Sequence, residues 1–260
     1  MQVEVRDQMG REVSLTPFPK RIISLVPSQT ELLYYLGLKD RLVGITKFCI
    51  HPSDALKENV IVGGTKKIRT QKVKELQPDL VIGNKEENTQ DIVLELEQFC
   101  PVWMSDINTY KDALVMISEL GELMNVGDKA DELAKAIDRQ FSEISTVNKL
   151  KVLYFIWYNP YMVAGSNTFV DSILQKAGYQ NAAAHLERYP RLSESEIMEM
   201  DVDVVMLSSE PYPFKESHKE GLQNLLPKAE ITLVDGEYFS WYGPRLLDTP
   251  NYLNSLNSFY

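Results

Sequence analysis

At 260 residues the chain is long enough for one large domain or two of ordinary size. Hydrophobic residues make up 44% and charged residues 25%, a soluble globular composition, and no run approaches the roughly 18 to 20 apolar residues of a membrane span. The formal net charge of −10 leaves no general basic field, which argues against nucleic acid as a partner.

The first residues alternate, with Val3, Val5, Val13 and Leu15 flanking the turn signal Met9-Gly10, and predict a hairpin. This start has neither a basic segment nor an apolar core, so no signal peptide is read there and a cytoplasmic location stays open. An apolar strand over 22–26 then runs straight into Pro27-Ser28. Ser28 and Glu31 have the spacing of a capping box, which predicts Ser28 as the cap of a helix that Gly37 ends. Strands are predicted over 42–46, 60–62, 80–82 and 102–104, with amphipathic helices over 71–76, 90–99 and 111–124 between them. Residues 128–147 carry Ala130, Leu133, Ala134, Ile137, Phe141 and Ile144 at spacings of three and four. They predict the longest helix, about 30 Å at 1.5 Å per residue. Strands over 151–157, 162–164, 204–207 and 231–234 follow, with helices over 168–177 and 194–200 and a last helix from Pro244.

Strands alternating with helices predict an α/β fold with parallel sheets covered on both faces. QKVKELQPDLVI at 71–82 and SEIMEMDVDVVM at 195–206 echo one another, pairing Val73 with Ile197 and Asp79 with Asp203. Two similar α/β lobes joined by one long helix follow: an N-terminal lobe over 1–124, a connecting helix over 125–149 and a C-terminal lobe over 150–260.

The junction at 27–28 lies where open α/β sheets bind ligands, at the carboxyl ends of strands. PSQTE has no glycine, so it is not a dinucleotide loop; no G-x-x-x-x-G-K-[ST] or G-x-S-x-G occurs elsewhere. Cys49 and Cys100 have neither C-x-x-C nor zinc spacing. Two free, partly buried thiols are the simpler reading of them; spacing does not decide whether they pair.

RIISLVPSQTELLYYLGLKDRLVGIT, VIVGGT and VKELQPDLVIGN, followed by YNPYMVAGSNTFVDSILQKAGYQNAA, LSESEIMEMDVDVVML and EYFSWYGPRL, cover nearly the whole chain in order. Together they resemble the substrate-binding proteins of cobalamin and ferric-siderophore ABC importers. The resemblance implies two Rossmann-like lobes, one rigid backbone helix, a ligand cleft between the lobes, small closure on ligand, no catalysis and a monomer. The expected location is periplasmic or extracytoplasmic. The expected ligand is a ferric chelate or corrinoid, with no intrinsic cofactor, and the expected partner is a membrane permease. In such proteins an acidic residue on each lobe docks the permease. The matching positions here are Gln71 and Ser195, the latter flanked by Glu194 and Glu196. Together with the unread signal peptide, this leaves room for a stand-alone chelate binder of the same fold.

Candidate ligand residues lie on loops at strand ends: Ser28 at the first junction, Phe48 and His51, Lys66 after Gly63-Gly64, Lys85, then Trp157 and Tyr158. Trp241 and Tyr242 belong to a segment with four aromatics in five residues, more than one short loop is expected to bury, and are predicted to face the ligand. Aromatics give a flat chelate broad contact at low entropic cost. Cobalamin binders tend to carry a tryptophan near 66; lysine there favours an anionic chelate. Arg191 and Arg245 are further cations, Arg245 being placed where a cation opposes a helix dipole. His51, His185 and His218 form no H-x₃₋₅-H cluster, so no metal centre is predicted. His218, within PFKESHKEG, is expected to be exposed. An α/β enzyme using Glu86 and Glu87 as acid and base with Ser28 as nucleophile is the remaining alternative. No motif pairs a histidine with Ser28, and it is disfavoured.

Overall fold

The computed structural model describes residues 2–145 and 149–258. The chain divides into two compact units: Met1–Ile107 with Lys111–Ile137 and Tyr242–Pro244, and Asn108–Tyr110 with Asp138–Trp241 and Arg245–Tyr260. The main division thus falls inside a helix at 137/138, and two short segments cross over, against the predicted divisions at 124/125 and 149/150.

The first unit opens with the expected hairpin, β1 (Val3–Arg6) and β2 (Glu12–Leu15), in register Val5↔Val13. The chain continues through β3 (Ile22–Ser24), α1 (Pro27–Tyr35), β4 (Leu42–Thr46), α2 (Ala55–Glu58) and β5 (Val60–Gly63). It then forms α3 (Thr70–Glu75), β6 (Leu80–Asn84), α4 (Gln90–Glu97), β7 (Val102–Ser105), α5 (Tyr110–Leu123) and α6 (Gly127–Phe141). The five-stranded sheet has order β5-β4-β3-β6-β7 and is parallel throughout. The order reverses between β3 and β6, and it is at the carboxyl ends of strands beside such a reversal that open α/β sheets bind ligands. One face is closed by Ile23, Leu25, Val62, Val73, Val81, Leu96 and Val102.

Two local expectations change here. The strand stops at Ser24 rather than residue 26; Leu25 still donates to Ile82 O at 2.9 Å, but Pro27 has no N–H to extend the ladder. Ser28 is not the cap. Pro27 occupies the first helical turn and the cap is Val26, with no side-chain capping bond. Proline's fixed φ and missing donor suit that position and start the helix two residues earlier than a serine cap would. Gly37, at φ +81°, ends the helix as expected, with Leu38 N returning to Leu33 O at 2.9 Å.

The 128–147 prediction is too long. Helix α6 ends at Phe141, about 22 Å at 1.5 Å per residue. Ser142 N reaches both Asp138 O and Arg139 O while its hydroxyl donates to Arg139 O at 2.6 Å, a tightened last turn with a local competitor for the backbone. Residues 146–147 of that prediction lie outside the described residues. The stripe itself holds, with Ala130, Leu133, Ile137 and Phe141 all buried. Two residues past the end of helix α5, Asn125 lies in the left-handed region at φ +60°, with Val126 N bonded to Gly121 O at 2.8 Å. This lets α6 fold back so closely that a Cβ on Gly121 would lie 2.2 Å from the Ala130 methyl.

The second unit continues with β8 (Lys151–Trp157), β9 (Tyr161–Val163), α7 (Phe169–Lys176), β10 (Gln180–Asn181) and β11 (Arg191–Leu192). It is completed by α8 (Glu194–Met198), β12 (Val204–Ser208), α9 (Lys219–Leu225), β13 (Glu230–Val234), α10 (Glu237–Ser240) and α11 (Thr249–Asn257). Its sheet is ordered β11-β9-β8-β12-β13, with β10 beside β8. It is mixed rather than parallel, because β9 turns back antiparallel on β8 and β11 on β9. The last helix begins at Thr249; Pro244–Leu247 is a 3₁₀ turn.

The internal echo is physical. Asp79 Oδ1 and Oδ2 accept from Arg21 N and Lys20 N, each at 2.8 Å, while Asp79 N donates to Arg21 O. Asp203 Oδ2 accepts from Lys151 N at 2.7 Å while its N donates to Lys151 O. In each unit an aspartate before the sixth or twelfth strand clamps the amino end of that unit's first central strand. Val73 and Ile197, the matched helix residues, are both fully buried.

Candidate functional site

At the carboxyl edge of the first sheet, buried polar side chains tie the strand ends together. Gln29 Nε2 donates to Ser105 Oγ at 2.7 Å, and Asn84 Nδ2 to the same oxygen at 3.0 Å. Asn88 Oδ1 accepts from Asn84 N at 2.9 Å, and Asn88 Nδ2 donates to Thr65 O at 3.0 Å. Gln29, Asn84, Asn88 and Ser105 are all buried. This network fixes the 84–88 loop on the sheet, a role that spacing in the sequence did not signal.

The predicted ligand residues of this unit sit around that edge. Ser28 is buried in the first turn of α1. Phe48 is 48% exposed, with Lys47 Nζ 4.8 Å from its ring centre. His51 is half-buried in the same loop. Lys66 Nζ donates to Glu86 O, and its charge acts on Glu87. Lys85 pairs instead with Asp106 at 2.5 Å. Glu87 is not the solvated carboxylate expected of a loop. Burial pushes its acid group up, while Lys66 and a Thr65 hydrogen bond pull it down. Cys49 and Cys100 are both free and buried. Cys49 Sγ lies 3.1 Å from Thr30 Oγ1 and 3.3 Å from Thr46 Oγ1.

In the second unit Trp157 closes β8 and is 40% exposed, while Tyr158 turns inward against the core. Trp157 sits edge-on to Tyr212 with ring centres 5.6 Å apart. Arg191 is exposed on β11 opposite Met162, itself opposite Trp157, so the strand pairing brings Arg191 to the same edge. His218 is not exposed as expected. It packs among Tyr158, Tyr212 and Phe214, its Nε2 3.0 Å from the Tyr212 hydroxyl. The run PYPF at 211–214, shortly after β12, is the sequence signal for this cluster. His185 is exposed at the amino edge instead, on a groove of about 610 Å³ that also touches Lys151 and Glu199 and holds none of the predicted ligand residues. Among the described residues no three His, Cys, Asp or Glu side chains gather as metal ligands.

The aromatic segment near the C-terminus is buried, contrary to expectation. Trp241 and Tyr242 are 6% and 7% exposed. Phe239 packs on Tyr154 at 5.0 Å, and Tyr238 stacks on Tyr252 at 4.3 Å. Folding 237–240 into a helical turn spreads these rings in different directions, so one short segment seats them all. The Trp241 indole donates to Glu210 Oε1 at 2.9 Å. Arg245 lies 5.1 Å from the Trp241 ring and pairs with Glu237 at 3.0 Å. It therefore braces α10 within its own unit.

Two α/β units, each with loop-borne aromatic and cationic side chains at the carboxyl edge of its sheet, agree with a family comparison. A profile described as "Periplasmic binding protein" matches residues 22–233. The chain belongs to the periplasmic binding protein family. Its relatives in that family include the uncharacterized ABC transporter substrate-binding lipoprotein YvrC of Bacillus subtilis. That protein is 25% identical over 260 residues, covering 95% of this chain and 82% of the relative. A vitamin B12-binding protein of Vibrio parahaemolyticus is 25% identical over 195 residues, 73% of this chain and 70% of that one. Among solved structures, the petrobactin-binding protein YclQ of Bacillus subtilis superposes with a TM-score of 0.82 at 16% identity over 99% of both chains. The likeness to YclQ establishes the periplasmic-binding-protein fold from end to end.

Proposed function

We propose that this chain is the solute-binding component of an ABC importer and captures a metal chelate, a ferric siderophore or a corrinoid, through loops at the carboxyl edges of its two sheets. The observation that carries the reading is the pair of exposed aromatic platforms at those edges, Phe48 with its lysine neighbour and Trp157 with Tyr212. Exposed rings at strand ends suit a flat, bulky guest better than they suit folding. The relatives' names give the same class of ligand, and their description as lipoprotein and periplasmic proteins supports an extracytoplasmic location. Lys47, Lys66 and Arg191 favour an anionic chelate, and Phe48, His51 and Lys85 complete the proposed surface; Ser28, buried in α1, and Tyr158, turned toward the core, support it from within. Trp241, Tyr242 and Arg245 act behind it, as packing.

The relatives named for a ligand are binding proteins, which supports a binding rather than a catalytic role for this chain. Docking to the permease uses the exposed starts of α3 and α8. At α8, Glu196 is occupied by its capping box with Ser193, which holds its carboxyl below the ordinary range, leaving Glu194 and Ser195 outward. At α3, Gln71 donates to Glu75 at 3.3 Å.

A panel of cobalamin, haem, and ferric catecholate and carboxylate siderophores tests this. A true ligand quenches tryptophan fluorescence and raises the melting temperature, the stabilisation reaching about 2.7 kcal/mol at a hundredfold excess over Kd. The quench disappears in Trp157→Phe. If no chelate in the panel does either, the reading fails.

A further inference from the structure

Within the first unit a groove of about 370 Å³ lies between the β1–β2 hairpin, the Pro17-Phe18 turn, the edge strand β7 and helix α5. Its walls are apolar: Val3, Val5, Leu15, Phe18, Trp103 and Leu123. Phe18 is 48% exposed, so the groove leaves a large ring uncovered. One polar group stands against this wall. Glu119, on α5, has a carboxylate oxygen, Oε2, that is buried and has no hydrogen-bond partner. A buried carboxylate without a partner is costly, and the cost vanishes when a cation or donor is supplied.

The nearby cations do not supply it. Arg11 is committed to Asp7 and Glu97, at 2.6 and 2.5 Å. Arg6, on the groove's rim, points to solvent with its side chain 71% exposed and Glu12 3.7 Å away. Asp7 is satisfied by Arg11 and by the backbone N–H groups of Met9, Arg11 and Met104. Its negative charge adds to the desolvation that already pushes the Glu119 acid up. Glu122, exposed at the other end of the groove, adds a second acidic group and no donor.

We infer that this groove is a second binding site, separate from the chelate surface, for a small organic cation with an apolar body, such as an arylalkyl or alkyl ammonium. The ring or chain would lie on Trp103, Phe18 and Leu123, and the ammonium would pair with the carboxylate of Glu119, whose side chain lines the groove. The volume lies within the range of small-molecule pockets. An apolar wall carrying one unmatched acid selects by charge as well as by shape, because a neutral molecule of the same shape leaves the carboxylate unsatisfied.

The test uses the full chain and two probes of one shape, 2-phenylethylammonium and 2-phenylethanol, followed by amide and indole chemical shifts in two-dimensional NMR. The ammonium shifts Trp103, Val5 and Leu123 and binds at least tenfold more tightly than the alcohol. Glu119→Gln, which keeps shape and removes the charge, brings the two probes to equal affinity and leaves chelate binding unchanged. Should that variant not fold, Val3→Trp fills the groove from its rim and abolishes both probes' shifts. Equal affinity of the two probes for the unaltered chain overturns the inference. So do persistent discrimination in Glu119→Gln, binding undiminished in Val3→Trp, or shifts confined to residues outside the groove. Because chelate binding is measured separately, loss of this site and loss of the importer reading are distinguishable.

Discussion

Asp79 and Asp203 show how one side chain type solves the same problem twice. Each stands before a central strand and accepts from the backbone N–H groups that open the neighbouring strand. Replacing Asp79 by Ala strands two donors near the surface, where water partly compensates; a loss of about 1–2 kcal/mol in urea unfolding is expected, and Asn does not restore it fully because its NH₂ would face a donor. The thiols make a second residue-scale prediction. Burial raises both, Cys100 to about 12. At pH 8 neither carries appreciable thiolate, so native protein resists iodoacetamide while urea-unfolded protein takes two equivalents. Burial also raises the Glu87 and Glu119 acids. The folded chain therefore holds protons that the unfolded chain has released. Their contribution is complete at pH below the unfolded carboxyl value and is lost as pH rises through the folded ones. Glu119→Gln and Glu87→Gln each flatten the stability-against-pH curve on that side.

Element boundaries show what a sequence makes legible and what it hides. Strand 151–157 and the α6 stripe were readable because period-two and period-3.6 patterns reflect which face is buried, and burial dominates. The cap at Ser28 misled because its spacing matched a capping box, while the adjacent proline took the first turn by fixing φ. The antiparallel β9 was not foreseen: a three-residue strand carries no direction in its pattern. The aromatic run at 238–242 was read as too rich to bury, yet a single helical turn points successive side chains about 100° apart and seats each against a different neighbour. The exposure of Phe48 and Trp157 was legible, because it follows from position at a strand end. The contacts of His218 and Lys85 were not legible, because their partners, Tyr212 and Asp106, depend on loop paths. Gly121 gives the element-scale test. Gly121→Ala drives a methyl into Ala130 and is expected to cost about 1–3 kcal/mol; adding Ala130→Gly recovers part of that, a coupling measurable by a double-mutant cycle.

At the scale of the molecule, an aspartate-clamped central strand recurs in both units, and both sheets carry exposed rings at their carboxyl edges. That recurrence makes a binding role coherent: each unit is stabilised from its amino edge, which frees the opposite loops to be chosen for ligand contact. Phe48→Ala and Trp157→Ala are each expected to weaken chelate binding by more than about tenfold, the usual scale for a buried aromatic anchor, without changing the midpoint of unfolding in the absence of ligand. The most direct measurement is a crystal structure of the full chain with the tightest-binding chelate of the panel. The account predicts the chelate in contact with Phe48 from the first sheet's loops and Trp157 from the second's. A chelate held at the amino edges, or touching neither ring, would contradict it.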